Sequence, residues 1–202
     1  MMNLKNLAWH LKHHTFRGEC LRNADWTGCI LTEFDFSQAD LTGANFRGAD
    51  LRGSNFSGAN LTGANLSQSQ LQQTDFSQAV LDNVDFSHAQ LERASFRGTR
   101  LNWANFSYAE LDAVVFSRSD LRHTNFRMAL LSRAHIVCTD IAGASFYEAE
   151  LCGANLRNVH CYGIRLPNGK QTSKLEPLQV FTRCAISHRS NFVDLKQLQS
   201  AS

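Results

Sequence analysis

The 202 residues contain only two prolines and no run of 18 apolar side chains. The second absence leaves no candidate for a membrane-spanning helix. Scarce proline, beside an ordinary apolar share of 43%, argues against a disordered or linker-rich chain. Six cysteines (Cys20, Cys29, Cys138, Cys152, Cys161 and Cys184) are scattered with no CxxC pair. Such scatter suits free thiols in a reducing compartment better than a disulfide framework. The opening MMNLKNLAWHLKHH has no apolar core of the kind a secretory signal carries. A cytoplasmic location is therefore expected, with export as an effector left open. Also missing are GxSxG, a P-loop, GxGxxG and HExxH. Neither an enzyme nor a cofactor or metal site is expected. A formal charge of +2 names no partner by itself.

What is present is a repeat. Stepping by five from Phe16 gives Leu21, Trp26, Leu31, Phe36, Leu41 and Phe46, and the register holds without a break to Leu166. The span contains (166 − 16)/5 + 1 = 31 units. Every centre is Phe, Leu, Ile or Trp except Cys161. Two residues before most centres stands a small residue, as at Ala39, Ala44, Ala49 and Ser54. Asp or Asn often lies between, as in Ala39-Asp40-Leu41 and Ala44-Asn45-Phe46. A period of five matches neither the 3.6 of an α-helix nor the 2 of a strand. Repeats of this kind point to a solenoid, in which stacked units share one continuous core.

Over residues 14–168 the pattern resembles the pentapeptide-repeat family, whose signature is A(D/N)LXX. The resemblance implies an all-β, right-handed quadrilateral β-helix with four units to a square coil. It places the centre and the small residue inside and the other three outside. If residues 20 apart stack, the centres sort into four columns. One begins Phe16, Phe36, Phe56 and Phe76, and the column opposite begins Trp26, Phe46, Leu66 and Phe86. Leucine dominates the other two. A period of ten would give the same alternation, so the sorting agrees with a square without proving it. Thirty-one units make nearly eight coils, a rod about 35–40 Å long at the spacing of β-sheet strands.

An open solenoid needs covered ends. Leu4, Leu7, Ala8 and Leu11 are helically spaced, which predicts a short helical cap over 1–13. Leu166-Pro167-Asn168-Gly169 is a turn signal that ends the repeat. The non-repetitive tail 169–202 either caps the last coil or forms a homodimer contact.

Several patterns invite a chemical reading and fall to a structural one. Gly43, Gly48, Gly53, Gly58 and Gly63 recur with the repeat and make no phosphate cradle. Asp40, Asn45, Asp50 and Asn55 hold the position before a centre and suit a turn role. His10, His13 and His14 have the i, i+3, i+4 spacing of helical metal ligands, but no Cys or Glu is placed to complete a site.

The outward positions say more. Early coils carry Gly, Ser, Thr and Gln; from about residue 93 arginines and large side chains appear. Trp, Tyr, Met and Arg are enriched at interfaces. The candidate partner-binding patch is Trp103, Tyr108, Arg122, His123, Arg127 and Met128, spread over two adjacent faces. The expected function is a non-enzymatic scaffold for another protein, with no direct nucleic-acid or membrane contact. The alternative comes from the resemblance: some pentapeptide-repeat proteins mimic DNA and protect gyrase, a type II topoisomerase. That mimicry requires a strongly acidic surface. Residues 16–166 hold 16 acids and 13 arginines, a net of −3, and ten of the acids precede a centre.

Overall fold

A computed structural model of the protein describes residues 10–171. From Thr15 onward the chain turns once per unit, and its parallel bridges join each residue before a centre to the one 20 positions on: Thr15 to Asp35, Cys20 to Asp40, Asp25 to Asn45, Ile30 to Asp50. The same offset continues to Ser145 and Arg165. Each coil is therefore 20 residues with four turns, a register that a period of ten could not settle.

One unit shows why five residues suffice. The Phe36 N–H donates to the Asn55 carbonyl of the next coil at 2.7 Å, and Gln38 N–H to Ser57 at 2.9 Å. Ala39 N–H closes the turn on the Phe36 carbonyl at 3.1 Å, and Asp40 N–H reaches back to Glu19 at 2.9 Å. The remaining donor, Ser37 N–H, has no backbone acceptor. It is taken by the Asp35 carboxylate at 2.9 Å. Asn45, Asn55, Asn60 and Asn65 repeat that bond to the residue two positions ahead. The Asp/Asn column thus completes the pairing of backbone donors, which buried or sheet-bound amides require.

The second residue after each centre lies in the left-handed region, from Gly18 (φ 70°) to Gly163 (φ 68°). With the hydrogen bond from the third residue to the first, positive φ at this position alone defines a type II turn. No Val, Ile or Thr occupies any of these positions, because a branched Cβ clashes most severely there.

Every centre is buried except half-buried Trp26. Phe36, Phe56, Phe76 and Phe96 stack along one side at 4.9–5.1 Å. Phe86, Phe106, Phe126 and Phe146 stack opposite at 4.7–5.2 Å. Across the core the columns meet edge to face, Phe76 against Phe86 at 5.7 Å and Phe96 against Phe106 at 5.6 Å. Both are favourable ring geometries. Buried hydroxyls at the small position find carbonyls of the backbone: Thr74 bonds Leu51, Thr139 bonds Phe116, and Thr124 bonds both Leu101 and Leu121.

Phe34 is the bulkiest departure from the small-residue rule. It stands where Ala or Ser is usual and packs on Phe16 and Phe36 at 5.9 and 6.0 Å. The turn bond it would make is replaced by Ser54, whose hydroxyl donates to the Leu31 carbonyl at 2.7 Å and accepts from Phe34 N–H at 3.2 Å.

Of the helical cap over 1–13, residues 10–12 form one helical turn, and 1–9 lie outside the described residues. The histidines there are used for packing. His10 stacks on Phe16 at 5.1 Å and His14 on Phe34 at 4.7 Å. At the other end the chain reverses at 167–169, and Arg165 pairs antiparallel with Gln171. Residues 172–202, and with them the choice between cap and dimer contact, lie outside the described residues.

The turn bonds generate a pH dependence. The Thr42 hydroxyl first, and then Arg22, outweigh burial and hold the Asp40 carboxyl below the usual range. Arg52 does the same for Asp50. Carboxyls depressed in the folded state contribute stability that is full above the unfolded value of about 3.9 and is lost as pH falls through the lower folded values. The melting temperature should therefore hold from pH 7 to about 5 and drop below about 4. Asp40→Asn/Asp50→Asn keeps the acceptors and should shallow that drop; an unchanged acid limb by circular dichroism would contradict the assignment.

Candidate functional site

The regular coil fixes which outward side chains meet. The first residue after a centre reaches the residue 18 positions on, as Arg22 to Asp40 at 2.5 Å, Asn45 to Thr27 at 2.8 Å and Arg100 to Asp82 at 2.6 Å. The second residue after a centre stacks on its counterpart 20 positions on. Trp103 lies parallel to His123 at 4.2 Å and 9°, and Tyr108 parallel to His88 at 4.8 Å and 2°.

These two rules place the six predicted residues. Trp103, 61% exposed, and His123 form one stacked pair at a corner of the rod. Beside them on the same side runs an amide ladder, Asn125 to Asn105 to Asp85, each step 3.0 Å. Arg127 borders that side, its guanidinium 5.7 Å from the Tyr147 ring. Tyr108 and Met128, 41% and 38% exposed, stand in the next column, and strand alternation turns them to the following side with Leu130. Arg122 separates from the others. It is held by both oxygens of Asp120, at 2.8 and 2.6 Å, on the side preceding Trp103. The expected two faces are therefore three, with Arg122 tied to an ion pair on its own.

The sequence reading passed over Tyr147 and Arg165. The Arg165 guanidinium lies 4.5 Å from the Tyr147 ring, so one tyrosine carries two cations. Their spacing of 18 is the diagonal rule, a signal that becomes usable once four units per coil are known. Among the described residues neither Arg127 nor Arg165 has a carboxylate within ion-pair reach.

All four apolar or aromatic members of the patch sit at left-handed φ, Trp103 at 63°, Tyr108 at 60°, His123 at 59° and Met128 at 56°. Glycine would be the least strained residue at each. Glycine does occupy the rung after His123, and there it has a second use. A methyl group at Gly143 would collide with the His123 ring, which leans over it. Large side chain followed by glycine lets the first lie flat along the rod.

Among the described residues no group of His, Cys, Asp or Glu is arranged to hold a metal. A hollow of about 360 Å³, lined by Thr32, Glu33, Arg52, Gly53, Gln72 and Gln73, is an open surface groove away from the aromatic patch.

A model of the pentapeptide repeat region matches residues 29–106, and a model of pentapeptide repeats in eight copies matches 99–136. Among solved structures, a pentapeptide repeat protein of the Arabidopsis thaliana thylakoid lumen is 36% identical over 52% of this chain and 70% of its own, with a TM-score of 0.40. A pentapeptide repeat protein from Nostoc PCC 7120 is 30% identical over 46% of this chain and 79% of its own, with a TM-score of 0.29. QnrB1, a plasmid-mediated fluoroquinolone resistance protein, is 22% identical over 76% and 91%, with a TM-score of 0.37. No curated protein matches the sequence.

The stack makes a spectroscopic prediction. The His123 ring protons should be shifted upfield by the Trp103 ring in the NMR spectrum. Trp103→Ala should abolish the shift and Gly143→Ala reduce it by displacing the imidazole. A random-coil His123 shift in the wild type would contradict the stacked geometry.

Proposed function

The chain belongs to the pentapeptide-repeat family, and from that premise we propose that it is a right-handed quadrilateral β-helix that works without catalysis, as a rigid surface for another protein. The observation that carries this reading is the exposed Trp103 stacked flat on His123. A large aromatic ring, fixed by its neighbour and open to solvent, loses little conformational freedom on binding and can bury a large apolar area. The amide ladder and the Arg127–Tyr147–Arg165 cluster beside it supply donors at fixed spacing. A binding surface of this kind needs no cavity and no titrating nucleophile.

DNA mimicry of a topoisomerase substrate draws less support. Asp40, Asp50, Asp82, Asp112 and Asp120 are each paired with an arginine. The columns of acid that would imitate phosphates are therefore interrupted by cations.

The test is capture from cell lysate by tagged wild type beside Trp103→Ala and Trp103→Ala/Arg127→Ala, all confirmed to melt alike. The reading expects a partner held by wild type and lost by the variants. Equal capture by all three would refute it, and gyrase subunits retained by every form would favour the mimic.

A further inference from the structure

The side of the rod that follows Met128 differs in charge from the side that carries Trp103. From His88 to Cys152 its outward positions hold Glu92, Glu110, Asp112, Glu148 and Glu150 and no lysine or arginine. The Trp103 side over the same coils has no acid from Trp103 onward and includes Arg127 and Arg165. The boundary runs along one corner of the rod, between Arg127 and Met128 and between Tyr147 and Glu148.

The acidic side has an apolar centre. Tyr108, Met128 and Leu130 are 41%, 38% and 42% exposed. Leu130 is bridged to Glu110 on one rung and to Glu150 on the next, so carboxylates bracket it along the rod. Arg133 reaches in from the neighbouring corner and neutralises Asp112 alone. The other four acids have no ion-pair partner among the described residues.

Two of these acids are set against each other. Glu92 and Glu110 are related by the 18-residue diagonal that elsewhere joins arginine to aspartate. Burial first, and then the charge and hydrogen bond of Glu92, push the Glu110 carboxyl up. Glu92 Oε2 is enclosed and has no hydrogen-bond partner. Elsewhere on the rod an acid on this diagonal meets a cation or an amide, as Asp82 with Arg100 and Asp120 with Asn102. Here no cation among the described residues fills that place.

We infer that the Tyr108–Met128–Leu130 side docks a lysine- or arginine-bearing segment of a partner protein, with apolar side chains on the aromatic centre and cations at Glu92 and Glu110. Charge complementarity selects this occupant. An acidic segment would meet like charge on every rung, and a purely apolar one would leave the carboxylates covered and unpaired. The inference rests on the reading of the rod as a protein-binding surface and adds the chemistry of what binds beside the Trp103 corner.

The test uses the full chain and a fluorescein-labelled nonapeptide of repeating Leu-Lys-Lys, with Leu-Glu-Glu as its counterpart, followed by anisotropy. The lysine peptide should bind saturably and weaken as salt rises. Glu92→Gln/Glu110→Gln should weaken it about tenfold, the loss expected for charge-assisted contacts. Leu130→Asn, which leaves every charge in place, should weaken it as well. No saturable binding of the lysine peptide, equal binding by both variants, or preference for the glutamate peptide would each overturn the inference. A lysate partner lost by Trp103→Ala but kept by Glu92→Gln/Glu110→Gln would also overturn it, while leaving the scaffold reading intact.

Discussion

The structure depends on one recurring contact, the pairing of each residue before a centre with its counterpart 20 positions later. That residue turns both its N–H and its carbonyl to the preceding coil, and its two sequence neighbours make the bonds to the following one, so every rung is tied in both directions. The offset can only be 20 if every unit turns by the same amount, and the type II turn with its left-handed third residue supplies that turn. The side-chain pattern follows from the backbone. The centre and small residue are enclosed by the coil, the Asp or Asn takes the one amide the coil leaves unpaired, and the two turn residues face outward. A unit longer or shorter than five would displace all three roles at once, which is why the register runs from Phe16 to Leu166 without a break.

Much of this was legible in the sequence because the repeat is local chemistry restated. Aromatic and leucine centres, small partners and Asp/Asn acceptors can each be recognised within one unit. The facing of the phenylalanine columns needed the coil number, which the bridges supply. Phe34 breaks the small-residue rule without losing the fold, since Ser54 of the next coil stands in for the missing turn bond. The histidines His10 and His14, spaced like ligands, are stacked on Phe16 and Phe34, a use that depends on where the chain enters the first coil.

The candidate site was legible as composition more than as geometry. Trp103 over His123 follows from the stacking offset of 20, and the structure places them in contact. Arg122 joins the candidate patch by residue type, as an outward arginine. In the rod, neighbouring turn residues point to different sides, and Asp120 two positions earlier takes its guanidinium. Tyr147 and Arg165 were invisible until the diagonal offset of 18 was known. A rod whose interior is filled with rings and leucines has only its surface to vary. Here the sequence varies it side by side, cationic and aromatic on one, acidic and apolar on the next.

The 20-residue register is the claim on which each surface assignment stands, and cross-linking tests it directly. In a background with the native cysteines replaced, Ser87→Cys/Ser107→Cys places two thiols one rung apart in the same column. Ser87→Cys/Asn102→Cys, 15 residues apart, places them at different corners. The account predicts that mild oxidation closes the first pair and leaves the second open. Closure of the second pair, with the first left reduced, would contradict four units per coil and every side-chain neighbour derived from it.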